Sequence, residues 1–216
     1  ITPTCSKRKL EKCLDEIIEA NGYTEAKIRL AVWRDHRRVR TAIICQEYGK
    51  DFDQRYQGGF NAVISGIRRK KTPYAHIKSM DYLCFRKAFM DARERGYDEA
   101  ILLNNRGELV EGSRTNVFFS QGKTLYTPAV SCGCLNVITR QIVIRCARAM
   151  NIPCKAVSAG TKKLLHADEA FVTNSLLGVM PLLRVNDRMI GTGIVGPMTK
   201  KLQEAYYTKL HSSCPV

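Results

Sequence analysis

The chain has 216 residues, enough for one large domain or two small ones with a buried core. Hydrophobic residues make up 44% of it and charged residues 25%, an ordinary globular composition that excludes disordered and fibrous classes. The 35 lysines and arginines exceed the 20 acidic residues and give a net charge of +15. This charge favours an anionic partner, whether nucleic acid, an acidic membrane or small carboxylates and phosphates.

Sequence signals for the larger partners and for a metal are missing. No apolar run approaches the roughly 20 residues needed to cross a bilayer, and no signal peptide opens the sequence. The densest basic run, residues 34–40, carries no nucleic-acid-binding signature. The nine cysteines indicate reduced thiols and a cytoplasmic location, and Cys132 and Cys134 lack zinc-binding spacing. We therefore predict a small anionic or amino-acid substrate, with no metal, nucleic-acid or membrane partner.

The first part of the chain predicts a small domain. Apolar residues recur at helical spacing over residues 6–21, where Ser6 can cap the start and Asn21-Gly22 can end the helix. Strand-like runs follow at residues 26–33 and 41–45. A polar, Gly-rich stretch then predicts a linker. The expected organisation is a small domain, a linker and a large domain, over residues 1–48, 49–57 and 58–216.

The rest of the chain predicts a mixed α/β domain. Helices are expected at residues 83–95 and 138–150 and from Pro197 onward. Strands are expected at residues 60–67, 100–104, 108–111, 116–120, 125–127 and 170–173. Tight turns between the middle four strands predict a β-meander. In the helix at residues 138–150, Arg140 and Arg148 are expected largely outside the apolar face.

Two titratable side chains stand out. Lys78 precedes a helix among largely uncharged residues, where a lysine can lose its proton near neutrality and attack a carbonyl. The alternative is an ordinary surface lysine. Glu111 ends a strand and enters a tight polar turn, where a carboxylate can pair with a cationic ring nitrogen. The alternative is a salt bridge to one of the many arginines.

Two further segments are candidates for binding an anion. Residues 135–140 begin a helix, whose backbone N–H groups and Thr139 hydroxyl make an anion seat, although the same residues can serve simply as an N-terminal cap. Residues 171–175 place polar side chains directly after a strand. Each of the four features is weak by itself.

Together, in this order and spacing, these segments resemble the class IV pyridoxal-phosphate enzymes, the fold-type IV group. The group contains branched-chain aminotransferases, D-amino-acid aminotransferases and 4-amino-4-deoxychorismate lyases. The matching segments are Ile77-Lys78-Ser79, residues 96–100, Glu111-Gly112-Ser113 with Asn116, Tyr126-Thr127-Pro128, Ile138-Thr139-Arg140, and residues 167–171 and 196–200. The resemblance implies a two-domain α/β homodimer whose larger domain binds pyridoxal 5′-phosphate.

The resemblance also implies roles for individual residues. Lys78 matches the lysine that condenses with the cofactor aldehyde and, once the substrate amine displaces it, moves the substrate proton. Glu111 matches the carboxylate that keeps the pyridine nitrogen protonated, and Tyr82 matches a tyrosine that hydrogen-bonds the ring phenolate. The positions on the phosphate side are matched by Ile138, Thr139 and Ser175.

The sequence departs from the family at three places. The family's strand with a phosphate-binding arginine should lie tens of residues before Ser6, and the sequence opens without Met. We therefore expect a truncated small domain, a disordered segment or a divergent member with weakened cofactor binding. Residues 34–40 are shorter than the expected loop between two strands, and Val137 stands where glycine is usual.

Three functions remain open from the sequence. Asn174-Ser175 resembles the lyases, so the favoured prediction is 4-amino-4-deoxychorismate lyase, an enzyme of folate biosynthesis that releases pyruvate and 4-aminobenzoate. The alternative is an aminotransferase of branched-chain or D-amino acids that uses the same Lys78. The third is a degenerate, non-catalytic basic binding module, which the net charge would suit.

Overall fold

The computed structural model describes residues 5–49, 56–70, 72, 75 and 77–213. The chain divides into two compact units, Ile1–Asp51 and Phe52–Val216. Most of the predicted linker, residues 50–55, lies outside the described residues. None of the helices described has the length and hydrophobicity to span a bilayer.

The first unit contains one helix and one hairpin: α1 (Lys7–Asn21), β1 (Ala26–Asp35) and β2 (Arg38–Glu47). α1 begins as predicted, because the Ser6 hydroxyl accepts a hydrogen bond from Lys9 N at 3.3 Å, and Gly22 ends it at a φ of 65°. β1 and β2 pair antiparallel up to the turn after Asp35. The basic run at residues 34–40 is therefore a hairpin end, where Arg40 lies 3.8 Å from Asp35.

The second unit is an α/β domain. Its helices are α2 (Leu83–Glu94), α3 (Ile138–Ala149), α4 (Thr161–Leu165) and α5 (Pro197–Ser213). Its strands are β3 (Phe60–Arg68), β4 (Glu99–Leu103), β5 (Leu109–Gly112), β6 (Asn116–Gln121), β7 (Thr124–Pro128), β8 (Cys154–Val157), β9 (Glu169–Asn174), β10 (Gly178–Val185) and β11 (Arg188–Met189). Each predicted strand and helix of this unit is present. The sequence patterns do not predict α4, β8, β10 or β11.

These nine strands form one sheet in the order β5-β4-β3-β10-β9-β6-β7-β8, with β11 paired to β10. β3 pairs in parallel with β4 and β10, whereas β9 pairs antiparallel with β10 and β6. The predicted meander is wrong: β4–β5 and β6–β7 are separate hairpins with β3, β10 and β9 between them. Turn patterns report local neighbours only, and the strands between the hairpins come from distant parts of the chain.

A short connection requires this sheet to curl. Ser113, Arg114 and Thr115 alone join β5 to β6, although four strands lie between them in the sheet order. Four consecutive peptide links span at most about 14 Å. Five strand spacings of a flat sheet measure about 24 Å. The sheet therefore curls until β5 contacts β6, which brings the polar turn after Glu111 beside the start of β6.

The side chains of the sheet alternate between two apolar layers. In β6, Val117 and Phe119 enter a cluster that includes Leu164 of α4, while Phe118 packs on the other side with α3 and α5. Phe118 and Phe171 stack there with their ring centroids 5.0 Å apart. A separate cluster packs α2 against β3 and β4. This packing fixes the first turns of α2 and α3, which line the cavity described next.

Candidate active site

A cavity of about 370 Å³ lies in the second unit, where the first turns of α2 and α3 meet the ends of β5 and β9. The residues that the resemblance singles out all line it: Lys78, Tyr82, Glu111, Ile138, Thr139 and Ser175. They are far apart in the sequence and belong to four different segments. The fold thus brings the predicted site residues to one place.

Lys78 and Tyr82 line the cavity from the segment that leads into α2. Lys78 is exposed, and its Nζ lies 5.6 Å from the centroid of the Tyr82 ring. Tyr82 in turn packs edge-on against Phe85 of α2, with the centroids 6.4 Å apart. An amine that lies near an aromatic ring at the edge of a cavity can reach the carbonyl group of a molecule bound there.

Glu111 is the buried acid of the cavity, with 4% of its surface exposed. Its Oε2 accepts a hydrogen bond from Leu135 N at 3.0 Å, while its Oε1 has no hydrogen-bond partner among the described residues. Burial raises the pKa of Glu111 to about 7. The groups that oppose this rise are the Leu135 N–H and the cations Arg69, Lys78 and Arg140. A buried acceptor oxygen without a hydrogen bond is available to a donor on a bound molecule.

The turn that follows Glu111 is held by Glu99, which is fully buried at the start of β4. The Glu99 Oε1 accepts hydrogen bonds from the Ser113 N–H at 3.0 Å and from the Ser113 hydroxyl. Its Oε2 accepts one from Thr115 Oγ1 at 2.9 Å. A Cβ at Gly112 would collide with Thr115 Oγ1 and crowd the Glu99 carboxylate. The Glu111-Gly112-Ser113 motif is therefore a turn packed around a buried acid.

Glu99→Gln is expected to lower the free energy of unfolding by about 2–3 kcal/mol, because an amide cannot accept from every donor that surrounds this carboxylate. Urea unfolding of the variant and of the parent protein measures the difference. Glu94→Gln is the matched control, since Glu94 is exposed at the end of α2 and should change stability by less than about 0.5 kcal/mol. Equal effects of the two substitutions would contradict this account of the turn.

The first turn of α3 offers backbone donors to the cavity. Val137 precedes the helix in an extended conformation, with φ −76° and ψ 166°, and no side chain caps the helix start. The N–H groups of Ile138 and Thr139 therefore remain available for an anion. Ile138 contributes through its backbone, because its side chain is 75% exposed. The negative φ of Val137 also explains why glycine is not required there.

The end of β9 completes the cavity with Thr173, Asn174 and Ser175. The Thr173 hydroxyl is buried and has no hydrogen-bond partner among the described residues. The sequence does not predict Thr173 as a residue of the site. The Asn174 Oδ1 accepts two backbone N–H groups of the following turn at 2.7 and 2.9 Å, and its Nδ2 donates to Arg114 O at 3.1 Å. Asn174 thus holds the turn, and this gives a structural reason for the motif on which the lyase prediction depends.

Arg140 differs from its prediction. It is 4% exposed, although the helical pattern places it largely outside the apolar face. Its Nη1 donates to Asn136 Oδ1 at 2.8 Å and its Nη2 donates to Pro128 O at 3.0 Å. Polar partners at the end of β7 and in the loop before α3, rather than apolar packing, account for its burial. Arg148, by contrast, is exposed.

The cysteines and possible metal ligands add no second reactive centre to the described part of the chain. Its eight cysteines are free thiols. Cys132 and Cys134 are buried, and burial raises the pKa of the Cys134 thiol to about 11, so that it is neutral at physiological pH. Within residues 5–49, 56–70 and 77–213, no cluster of three His, Cys, Asp or Glu side chains could hold a metal ion.

The donor set of the cavity fits one kind of molecule. The exposed amine of Lys78 suits a carbonyl group, and the buried Glu111 oxygen that accepts no hydrogen bond suits a protonated ring nitrogen. The uncapped start of α3 suits an anionic tail. A sequence profile of the family described as Amino-transferase class IV matches residues 1–185. The chain belongs to aminotransferase class IV. The resemblance read from the motifs is thereby confirmed.

Relatives of this class IV chain are branched-chain aminotransferases. A Methanocaldococcus jannaschii protein assigned this activity is 31% identical over 215 residues, which cover 91% of this chain and 72% of that protein. The branched-chain-amino-acid aminotransferase of Pseudomonas aeruginosa is 37% identical over 141 residues, 65% of this chain and 44% of that enzyme. The crystal structure of the T.th. enzyme with pyridoxamine 5′-phosphate superposes with a TM-score of 0.85 at 27% identity, over 98% of this chain and 74% of that one.

These findings confirm the predicted mixed α/β fold of the type IV enzymes and favour catalysis over the basic binding module. They also support the aminotransferase alternative and give no specific support to 4-amino-4-deoxychorismate lyase. The class IV chain spans only part of each of these relatives. The reaction of the whole protein is therefore a matter for proposal.

Proposed function

We propose that this class IV chain is the cofactor-binding part of a pyridoxal-phosphate-dependent aminotransferase that acts on branched-chain amino acids. The observation that carries the proposal is the acid Glu111, which lines a cavity together with Lys78 and has one oxygen that accepts no hydrogen bond from the described residues. The names of the relatives supply the substrate class. The pyridoxamine 5′-phosphate in the T.th. structure supports the cofactor.

Each cavity residue has a task in this function. When bound, pyridoxal phosphate supplies an aldehyde that takes up the amino group and a protonated ring that withdraws electrons. Lys78 Nζ would take the proton from the substrate Cα and then donate it to the cofactor carbon that keeps the nitrogen. Glu111 Oε1 would accept a hydrogen bond from the ring N–H, whose positive charge would lower the pKa of this carboxyl from about 7. The Tyr82 hydroxyl would hold the ring phenolate. The Ile138 and Thr139 amides, the Thr139 hydroxyl and Ser175 would hold the phosphate.

The wall of the cavity suits an aliphatic side chain. Leu135, Val137 and Ile138 line it from the start of α3 and the loop before it, and Phe85 lines it from α2. Of these residues, Ile138 contributes its backbone, whereas Leu135, Val137 and Phe85 supply apolar surface. Such a surface favours an apolar substrate side chain over a charged one, because a charge would lose its hydration there. This lining agrees with a branched-chain amino acid as the substrate.

The fate of the amino group tests the proposal against the lyase prediction. An aminotransferase leaves the nitrogen on the cofactor, whereas a lyase releases it with the aromatic product. The full-length protein loaded with pyridoxal phosphate is mixed with isoleucine, with D-alanine or with aminodeoxychorismate, without any keto acid. We expect isoleucine to give one equivalent each of pyridoxamine phosphate and keto acid. Formation of 4-aminobenzoate and pyruvate from the third substrate, with isoleucine inert, would establish the lyase instead.

We further propose that the protein is a cytoplasmic homodimer. The family resemblance implies that a loop of the partner completes the substrate pocket, and the free thiols of the described residues agree with a reducing compartment. Sedimentation equilibrium of the full-length protein should give twice the chain mass. A monomer at micromolar concentration would refute the dimer.

A further inference from the structure

Arg69 directly follows β3 and is not among the residues that line the cavity. Its Nη2 donates a hydrogen bond to Ala75 O at 3.2 Å, on the segment that leads to Lys78. Its Nε lies 4.0 Å from Glu111 Oε1, and its guanidinium carbon lies 4.7 Å from the centroid of the Phe85 ring. One side chain thus touches the approach to the reactive amine, the aromatic wall of the cavity and its buried acid.

The two facing atoms of Arg69 and Glu111 are complementary. Arg69 Nε and Glu111 Oε1 are both buried, and neither has a hydrogen-bond partner among the described residues. Their side chains are 14% and 5% exposed, so water and salt screen the pair weakly. A buried charge without compensation is costly. After the hydrogen bond from Leu135 N, Arg69 is the largest influence that favours the ionised form of Glu111, and it is the largest among the cations.

Other ionisable groups also face Glu111, from α3 and from the segments before α2 and α3. Arg140 directs both terminal nitrogens to other acceptors, and its Nε is also buried without a hydrogen-bond partner among the described residues, but it opposes the raised pKa of Glu111 less than Arg69 does. Lys78 is exposed and is the reactive amine of the proposed function. Cys134 is neutral, because burial raises the pKa of its thiol to about 11. Arg69 therefore has the buried cationic group best placed to compensate Glu111.

We propose that Arg69 is a positioning residue of the candidate active site, which holds Glu111 ionised and fixes the backbone ahead of Lys78. The inference rests on the proposed function, because only an ionised Glu111 keeps a proton on a ring nitrogen. Burial raises the pKa of Glu111 to about 7 even with Arg69 present. Without this cation the pKa rises further, and most of the acid is protonated at neutral pH.

Two substitutions separate the charge of Arg69 from its hydrogen bond. Arg69→Gln removes the charge but keeps a donor for Ala75 O, whereas Arg69→Lys keeps the charge. Arg68→Gln is the matched control, because Arg68 is the exposed neighbour. Urea unfolding of the cofactor-free proteins between pH 4 and pH 9 provides the first readout. The Glu111-linked fall in stability begins near pH 4.5, which the unfolded chain sets, and ends near pH 7 in the parent. Arg69→Gln should leave this beginning unchanged and move the end upward by about one pH unit, because the folded protein would bind the proton about tenfold more tightly. Arg69→Lys and Arg68→Gln should leave the end in place.

The second readout is the affinity for pyridoxal phosphate as a function of pH. Arg69→Gln should bind it about fivefold more weakly than the parent at pH 7, where half of Glu111 is ionised in the parent, and recover towards pH 9, where Glu111 ionises in both proteins. A loss by the same factor at every pH, or an unshifted stability profile, would overturn the proposal. If Arg69→Gln does not fold, carbon-13 titration of Glu111 in the parent decides, with Glu111→Gln to assign the signal: an acid still protonated at pH 8 would also overturn it.

The stability profile keeps this proposal distinct from the proposed function, because it requires neither cofactor nor turnover. A protein that shows the expected shift but does not transfer amino groups refutes the aminotransferase assignment alone. A protein that transfers amino groups but shows no shift refutes the role of Arg69 alone.

Discussion

Lys78→Ala is expected to abolish amino-group transfer while leaving the fold intact. The variant loses both the nucleophile that holds the cofactor aldehyde and the base that moves the substrate proton, so the rate should fall at least about 10⁴-fold. Its free energy of unfolding should stay within about 0.5 kcal/mol of the parent, because Lys78 is exposed and its ammonium lies 5.6 Å from the centroid of the Tyr82 ring. Transfer from isoleucine to 2-oxoglutarate and urea unfolding measure the two quantities.

Borohydride reduction followed by peptide mass mapping identifies the lysine that binds the cofactor. In the parent protein the label should lie on Lys78, and Lys78→Ala should take up none. Lys87→Ala is the control, because Lys87 is an exposed lysine of α2 that does not line the cavity. Cofactor attached to another lysine, or an active Lys78→Ala, would show that the wrong amine has been chosen.

Glu111→Gln is expected to bind the cofactor but to lose about 100-fold or more in rate, which is the usual contribution of a placed acid or base. The amide can still accept a hydrogen bond from Leu135 N, as Glu111 Oε2 does at 3.0 Å. It cannot carry the negative charge that holds a proton on the ring nitrogen. Single-turnover kinetics with isoleucine and a visible spectrum of the loaded variant test the two halves of this expectation.

The same substitution should stabilise the cofactor-free protein at neutral and alkaline pH. The pKa of Glu111 is about 7 in the folded protein and about 4.5 in the unfolded chain, so the folded state binds the proton more tightly. Stability therefore falls as the pH rises from 4.5 to 7, by about 3 kcal/mol in total. Glu111→Gln does not titrate and escapes this fall.

The difference between Glu111→Gln and the parent should thus be small at pH 4, grow through pH 5–7 and stay constant above it. Glu108→Gln is the control, because Glu108 is partly exposed and paired with Arg106 across 2.7 Å. A pH-independent difference for Glu111→Gln would show that the acid ionises normally inside the protein.

Most helices and strands could be predicted because their causes are local. Ser6 and Gly22 at the ends of α1, and the apolar face of α2, are visible in short windows of sequence. The order of the sheet could not be predicted, because β3 pairs with β10 across more than half of the chain. β10 itself was missed, since its buried residues form an apolar run interrupted by Pro181 and followed by Arg184 rather than an alternating pattern.

The site could be predicted only through the resemblance. Lys78 and Glu111 each have an ordinary surface alternative, and their common cavity depends on the curled sheet. Arg69 was missed because it stands second in the run Arg68-Arg69-Lys70-Lys71, where nothing in the sequence distinguishes one cation from the next. β3 ends at Arg68, and the chain leaves the sheet at Arg69. This change of direction buries the Arg69 side chain, whereas Arg68 stays exposed.

The position of β3 has a consequence for how a newly made chain matures. One edge of β3 can pair early in synthesis, because its partner strand β4 includes Glu99, which pairs with Ala62. The other edge pairs with β10, where Leu182 is the partner of Phe60 and is added 122 residues after it. At 5–20 residues per second this takes on the order of 10 s. During that time an apolar strand exposes one unpaired edge, the feature that promotes aggregation of nascent chains. Protection of this edge until β10 emerges is therefore expected to favour native folding over aggregation.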